Sequence, residues 1–218
     1  GSEMCIRDRY KALSAYKPYS ISIAGIQGAI PFSITPVGNP EKKSVLMMLD
    51  NSSVNGIKAE IAFDTGAGVN IISDSLARKL NLIPLEAYNN VMGIGRQTTQ
   101  YAIAKEIRLG NITVSDVPFV IVDFAVDNEE ANRYMDCLGL VVGSELMLQL
   151  KDLTIDFATR EITVPAIAPE KSDARPNMNF SPQMNLTTKG IIHDNPMWIC
   201  IDTVSYTHLR AHETGRNL

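Results

Sequence analysis

The sequence predicts an all-β fold of short strands carrying one or two short helices. Three observations predict it. Short apolar runs rich in β-branched residues recur along the chain: Val45–Leu49, Ile57–Phe63, Val69–Ile72, Thr98–Ile103, Ile107–Leu109, Ile112–Val114, Val117–Val122 and Leu138–Val142. Turn residues separate them, notably Asn51–Gly56, which ends on Asn-Gly, and Gly110-Asn111. Helical spacing surfaces only twice. Asp74–Leu80 follows Ser73, a good N-cap, with Leu76, Ala77 and Leu80 on one face. Gly143–Leu150 carries Leu146, Met147 and Leu150.

In chain order, residues 10–43 read as a lead-in segment. Its two β-like runs, Ser20–Ala24 and Ile30–Thr35, are punctuated by Gly25, Gly28, Pro36, Gly38 and Pro40. Residues 44–164 hold the dense series of strands and form the main lobe. Within it, Val91–Met92 and Thr98–Ile103 read as a hairpin whose tip is Gly93-Ile94-Gly95. Asp127–Asp136 is polar and suits a loop or a short helix. Leu153–Phe157 and Glu161–Val164 make a last hairpin. Residues 165–183, with Pro165, Pro169, Pro176 and Pro182, have the composition of a linker. Residues 184–203 then open a further unit with the apolar strand Pro196–Thr203.

Composition removes several function classes. The chain has 218 residues, 45% hydrophobic and 20% charged, which suits a packed core and argues against disorder. No apolar run approaches the roughly 18 to 20 residues of a membrane span. The net charge is −4 with no basic stripe, a poor match to nucleic acid or to an anionic membrane surface. Cys5, Cys137 and Cys200 have no metal spacing and no disulfide pattern, and residues 10–203 hold a single histidine, His193. No metal or cofactor is therefore expected; Cys137 and Cys200 read as small buried apolar residues, and Met197, within an apolar run, reads as core.

The two ends read differently from the rest. One DNA string can encode residues 1–9, and its reverse complement, read in one frame, encodes Val204–Ala211. The string resembles a sequencing-library adapter. Residues 1–9 and 204–218 are therefore expected to be adapter-derived, to pack poorly and to carry no function.

The chemistry centres on Ile61–Ala67, where Asp64 ends an apolar strand directly before a glycine turn. Asp-Thr-Gly in that position is also ordinary turn chemistry. Over residues 44–164, however, the chain resembles the retropepsin-like aspartic proteases, single-lobe relatives of pepsin. Asp64-Thr65-Gly66-Ala67 corresponds to the family's catalytic motif, and Val69–Ser73 with its short helix corresponds to the family's next segment. Gly93-Ile94-Gly95 corresponds to the tip of the substrate-binding flap. Leu140–Leu146 corresponds to the strand, glycine and helix that close the barrel. The resemblance implies a closed, six-stranded-type acid-protease barrel followed by the truncated start of a second lobe. One departure is Ser144, where many viral members carry Arg, so an Arg brace at a dimer base is not expected.

The implied activity is aspartic endopeptidase action on a peptide or protein substrate. Two close carboxylates cannot both ionise easily, so one stays protonated while the other activates water. Asp64 is one of the pair, Thr65 fixes the loop and Gly66 lets it turn. The second Asp comes from a homodimer partner or from a second lobe in cis. Trp198–Thr203 is an apolar strand ending in Asp202-Thr203, which parallels Ala59–Thr65. It is either a chance Asp-Thr or a cut-short second catalytic motif. Because that lobe is cut short, the chain is expected to have no second carboxylate near Asp64 and to be inactive alone. The rival reading is a non-catalytic β-barrel used for binding or dimerisation.

Overall fold

The computed structural model describes residues 11, 13–37, 44–91, 97–122, 139–167, 176–182 and 184–204. It is mostly β, and among the described residues two short helices lie within the strand series. The strands before the first helix are β1 (Ser20–Ile23), β2 (Gln27–Val37), β3 (Ser44–Leu49), β4 (Ser52–Val54), β5 (Ile57–Lys58), β6 (Ile61–Phe63) and β7 (Ile71–Ser73). Helix α1 (Asp74–Lys79) comes next, then β8 (Ile83–Val91), β9 (Gln97–Leu109), β10 (Ile112–Val122) and β11 (Leu140–Val142). Helix α2 (Ser144–Leu150) leads to β12 (Thr154–Asp156) and β13 (Glu161–Pro165). A separate three-stranded sheet ends the described chain, in the order β14 (Met178–Phe180), β15 (Leu186–Ile192), β16 (Asn195–Cys200).

The first 13 strands share one curled sheet, ordered β12-β13-β2-β3-β6-β11-β7-β10-β9-β4-β5, with β1 on β10 and β8 on β9. At its centre β11 lies between β6, to which it is parallel, and β7, to which it is antiparallel. Every residue of β6 and β11 is buried. Such strands carry unbroken apolar sequences because both faces pack, which is why Ile61-Ala62-Phe63 and Leu140-Val141-Val142 do not alternate. Strand β10 has the mixed pattern of a strand passing from half-covered to fully covered surroundings. Inside the curl lies the main apolar core, including Ile30, Phe63, Ile72, Phe119, Val142 and Leu146. The sheet's open end at β6 and β7 is where the Asp64 loop emerges.

The lead-in segment is part of this sheet. Its two β-like runs are β1 and β2, and β2 sits between β3 and β13. Asn111 fastens it: its Oδ1 accepts from Ala29 N at 2.7 Å, and its Nδ2 donates to the carbonyls of Ala24 and Gln27 at 2.9 Å each. Ser73 caps α1 as expected, accepting from Leu76 N at 3.3 Å. The Asn51–Gly56 region is more than a turn. It contains β4, and only Asn55-Gly56, at φ 50° and 78°, makes the tight reversal into β5. Positive φ at both central residues matches the twist of the flanking strands.

The region read as linker and cut-off strand is more regular than its composition suggests. β14 lies within 165–183, and β15 pairs with β16 through a reversal at His193 and Asp194, at φ 48° and 64°. Cys200 is exposed and Met197 is 36% exposed, against the expectation that both are buried. A three-stranded sheet has too little facing surface to cover β16, so most of that strand faces water. Gly93-Ile94-Gly95, Asp127–Asp136 and Cys137 lie outside the described residues.

Candidate active site

Asp64 is set in place by the strand that precedes it and by the strand beside it. Its N–H donates to Val142 O at 3.0 Å, which continues the β6–β11 ladder to the edge of the loop. The chain then turns: Gly66 N donates to Asp64 Oδ1 at 2.8 Å, and Ala67 N donates to Asp64 O at 3.3 Å. The loop is held from below by the turn between β11 and α2. Ser144 N donates to Ala67 O at 2.8 Å, and Gly143 N donates to Asn70 Oδ1 at 3.0 Å. A Cβ on Gly143 would stand 2.5 Å from Ala67 O and 2.6 Å from Val69 O, so this backbone approach requires glycine.

The chain's own later segment completes the site. After β16, Ile201–Val204 runs back against the Asp64 loop, and its bonds mirror those on the other side. Thr65 Oγ1 donates to Ile201 O at 2.7 Å and accepts from Thr203 N at 3.0 Å. Thr203 Oγ1 donates to Phe63 O at 2.6 Å and accepts from Thr65 N at 3.1 Å. Gly66 N and Val204 N each donate to their own Asp Oδ1 at 2.8 Å. Two Asp-Thr turns are thus locked back to back by reciprocal hydroxyl bonds, with approximate twofold symmetry.

The two carboxyls meet. Asp64 and Asp202 are hydrogen-bonded to each other through their side chains. A bond between two carboxyls needs a proton on one of them, because an ionised carboxylate only accepts. Burial, with the Asp202 charge next in weight, pushes Asp64 up to about 7 from its ordinary 3.8. The amide of Gly66 opposes this rise and is outweighed. Gly66 has a spatial reason to be glycine: a Cβ there would lie 2.5 Å from the Asp202 carboxyl.

This overturns the expectation that Asp64 has no second carboxylate beside it. That expectation treated Asp202 as stranded without its lobe. The physical reason it fails is that the Asp-Thr turn needs little of a lobe: β15 and β16 aim it, and the Thr65–Thr203 bonds hold it. Ser144, where the family resemblance would allow Arg, helps. Its hydroxyl lies 2.8 Å from Ala67 O and in reach of Met184 O, so it links the Asp64 loop to the connection between β14 and β15. Val204, expected to pack poorly, instead joins a small cluster with Leu46, Ala62 and Val141.

Sequence reasoning missed Asn70 and Ser144 as parts of the site. Asn70 is fully buried; its Nδ2 donates to Pro118 O at 3.1 Å and to Tyr19 Oη at 3.0 Å. The available signal was an Asn inside the apolar run Val69–Ile72, since a buried amide there must find partners. Among the described residues, no three His, Cys, Asp or Glu side chains gather in a way that could hold a metal ion.

The reciprocal bonds give a direct prediction. Thr65→Val and Thr203→Val should each destabilise the folded chain by about 1–3 kcal/mol, because each removes a donor and an acceptor at once. The double variant should cost less than the sum, since each hydroxyl makes its own two bonds but both hold the same pair of turns, and losing either loosens what the other secures. Urea denaturation of the four proteins measures the coupling, and strict additivity would contradict the pairing.

Residues 51–145 match the model of the aspartyl protease family. Among solved structures, the chain is similar to a retropepsin-like aspartic protease from Rickettsia conorii. The identity is 16%, the match covers 68% of this chain and 95% of that one, and the TM-score is 0.39. No curated protein matches the chain.

Proposed function

We propose, from the match of residues 51–145 to the aspartyl protease family, that this protein is an aspartic endopeptidase whose catalytic pair is Asp64 and Asp202. The observation that carries the reading is the hydrogen bond between these two carboxyls within one symmetric pair of Asp-Thr turns. The family resemblance leaves the second Asp to a homodimer partner or to a second lobe in cis; in the proposed reading Asp202 of the same chain takes that role. The ground for expecting an inactive chain was a missing second carboxylate, and with Asp202 in place that ground is gone.

Each step rests on the groups present. A peptide carbonyl enters above the pair with a water between the two Asp side chains. The ionised carboxylate takes a proton from the water, which attacks the carbonyl carbon. The protonated carboxyl donates to the carbonyl oxygen as it gains charge. Proton transfer to the amide nitrogen then releases the amine, and the pair returns to one shared proton. Thr65 and Thr203 keep the carboxyls close, which preserves the shared proton. Gly93-Ile94-Gly95, proposed as the flap tip, would cover the substrate and exclude water.

The proton sets the pH dependence. The working form holds one proton between two carboxyls, and Asp64, pushed up to about 7, retains it through the acidic range. Peptide cleavage should therefore be strong at acidic pH and fall about tenfold per pH unit above about 7. The same shift affects stability. A carboxyl whose folded-state pKa lies above its unfolded value binds its proton more tightly when folded. Its contribution to stability is complete below the ordinary 3.8 and is lost as pH rises through about 7. Asp64→Asn has no such proton to lose. Its stability relative to the parent should grow across that window, by up to about 1.4 kcal/mol per pH unit. Urea denaturation at acidic and mildly alkaline pH measures it, and a pH-independent difference would count against the assigned shift.

Binding of a peptide with a hydroxyl in place of the scissile carbonyl tests the reading without turnover. The hydroxyl sits where both carboxyls can bind it, so tight binding needs the pair. Calorimetric titration should show binding to the parent and loss in Asp64→Asn. Equal binding by both would sink the reading.

A further inference from the structure

We propose that Tyr19 is a positioning residue for the catalytic loop, acting through Asn70 on the Gly143–Ser144 turn that supports Asp64. The inference rests on the proteolytic reading of the Asp64–Asp202 pair, and it extends the site into the lead-in segment.

The path is a continuous set of hydrogen bonds. Tyr19 Oη accepts from Asn70 Nδ2 at 3.0 Å, and Asn70 Oδ1 accepts from Gly143 N at 3.0 Å. The next residue, Ser144, donates from its N–H to Ala67 O at 2.8 Å, and Ala67 N donates to Asp64 O. Asn70 is fully buried, so each of its polar atoms must be paired for the side chain to hold one orientation. Pro118 O takes one of its N–H groups at 3.1 Å and Tyr19 takes the other. An Asn with only one fixed N–H can rotate, and its oxygen then leaves Gly143.

Tyr19 itself is held. Its hydroxyl donates to the Glu145 carboxylate, on the first turn of α2. It therefore bridges the Asn70 amide and the helix after Gly143. Burial first, and the Glu145 charge second, keep this hydroxyl protonated and so able to donate. Its backbone is at φ 61°, a left-handed conformation that an aromatic residue adopts only at an energetic cost. That cost is offset where surrounding contacts fix the residue. Here they do: Lys17 N donates to Asp116 Oδ2 at 3.2 Å, Lys105 pairs with Asp116 at 3.0 Å, and Lys105 Nζ lies 4.4 Å from the Tyr16 ring centroid. Residues 16–19 thus form a strap docked on β9 and β10, and the Tyr19 ring carries it to the base of the catalytic loop.

Tyr19→Phe removes one oxygen and leaves the ring, so the fold should persist. Two measurements decide the matter. Amide hydrogen exchange at Gly143 should accelerate about tenfold in Tyr19→Phe, and by more in Asn70→Ala, which removes the acceptor itself. On an acid-cleaved peptide substrate, Tyr19→Phe should lower kcat about tenfold with KM within about twofold, as misplacement of a reacting group predicts. A role confined to stability would lower the active fraction in step with unfolding and would leave Gly143 exchange unchanged at temperatures well below melting. Unchanged exchange, or unchanged kcat in a variant whose parent cleaves, overturns the inference. A parent that neither cleaves nor binds the hydroxyl-bearing mimic overturns the proteolytic reading instead, and the positioning role falls with it.

Discussion

Asp64→Asn and Asp202→Asn are each expected to reduce peptide cleavage by at least about a thousandfold. Either change leaves one carboxyl, and the chemistry needs two kinds of it at once. One must be ionised to take the proton from water, and the other protonated to donate to the carbonyl oxygen. An amide can donate but cannot become a base near neutral pH, so the proton has no place to go. The magnitude reflects the loss of a general base, about 10²–10⁴-fold, together with loss of a donor at the developing oxyanion. The two variants should be impaired alike, because the bonds around Asp64 and Asp202 repeat across the pair. Steady-state rates on one peptide at acidic pH check this. Full activity in Asp202→Asn would show that the second carboxylate comes from elsewhere.

Gly143→Ala should impair cleavage severely through a single methyl. Its backbone angles, φ −109° and ψ −169°, are open to any residue, so the obstacle is space and not conformation. The added Cβ would sit 2.5 Å from Ala67 O and 2.6 Å from Val69 O, both backbone atoms of the Asp64 loop. Those atoms cannot rotate away as a side chain could. Either the loop moves or the β11–α2 turn does, and both positions are tied by hydrogen bonds to Asn70 and Ser144. Overpacking of this kind costs about 1–3 kcal/mol and sometimes more. Since the displaced atoms belong to the loop that carries Asp64, cleavage should fall by about a hundredfold or more. Gly56→Ala is the control. Nothing lies within 4 Å of its added Cβ, but its φ of 78° strains any side chain there. It should cost about 1 kcal/mol of stability or more and leave cleavage by the folded protein intact. Thermal melting and steady-state rates of the two variants separate space from strain.

Much of the lobe was legible because its signals are local. Ser73 reads as an N-cap from its position before Asp74–Leu80, and Asn55-Gly56 reads as a reversal from its two residues alone. Asp64 was legible because a strand, an acid and a glycine turn sit next to one another. Asp202 was legible as a candidate from its likeness to the Asp64 strand, but its position was not. Whether Asp202 reaches Asp64 depends on how β14–β16 direct a short segment across the molecule. No periodicity in 184–203 encodes that direction. Asn70 and Tyr19 were illegible for a related reason. Each is an isolated polar group whose partner is distant in sequence, 48 residues away for the Asn70–Pro118 bond and 51 for Asn70–Tyr19. Cys200 and Met197 were misplaced because an apolar strand was assumed to have something to pack on.

The central claim is that both catalytic carboxyls come from one chain. Mixing the two inactive variants tests it most directly. Asp64→Asn and Asp202→Asn are purified separately, combined in equal amounts, incubated under conditions that allow exchange of subunits, and assayed on a peptide at acidic pH. The parent is assayed alongside over a wide dilution series, with its mass in solution measured at each end. A pair built within one chain predicts that the mixture stays as inactive as its components and that the parent's specific activity does not change on dilution. Recovery of a substantial share of parental activity in the mixture, or loss of specific activity as the parent is diluted to a monomer, would show that the two carboxyls come from different copies.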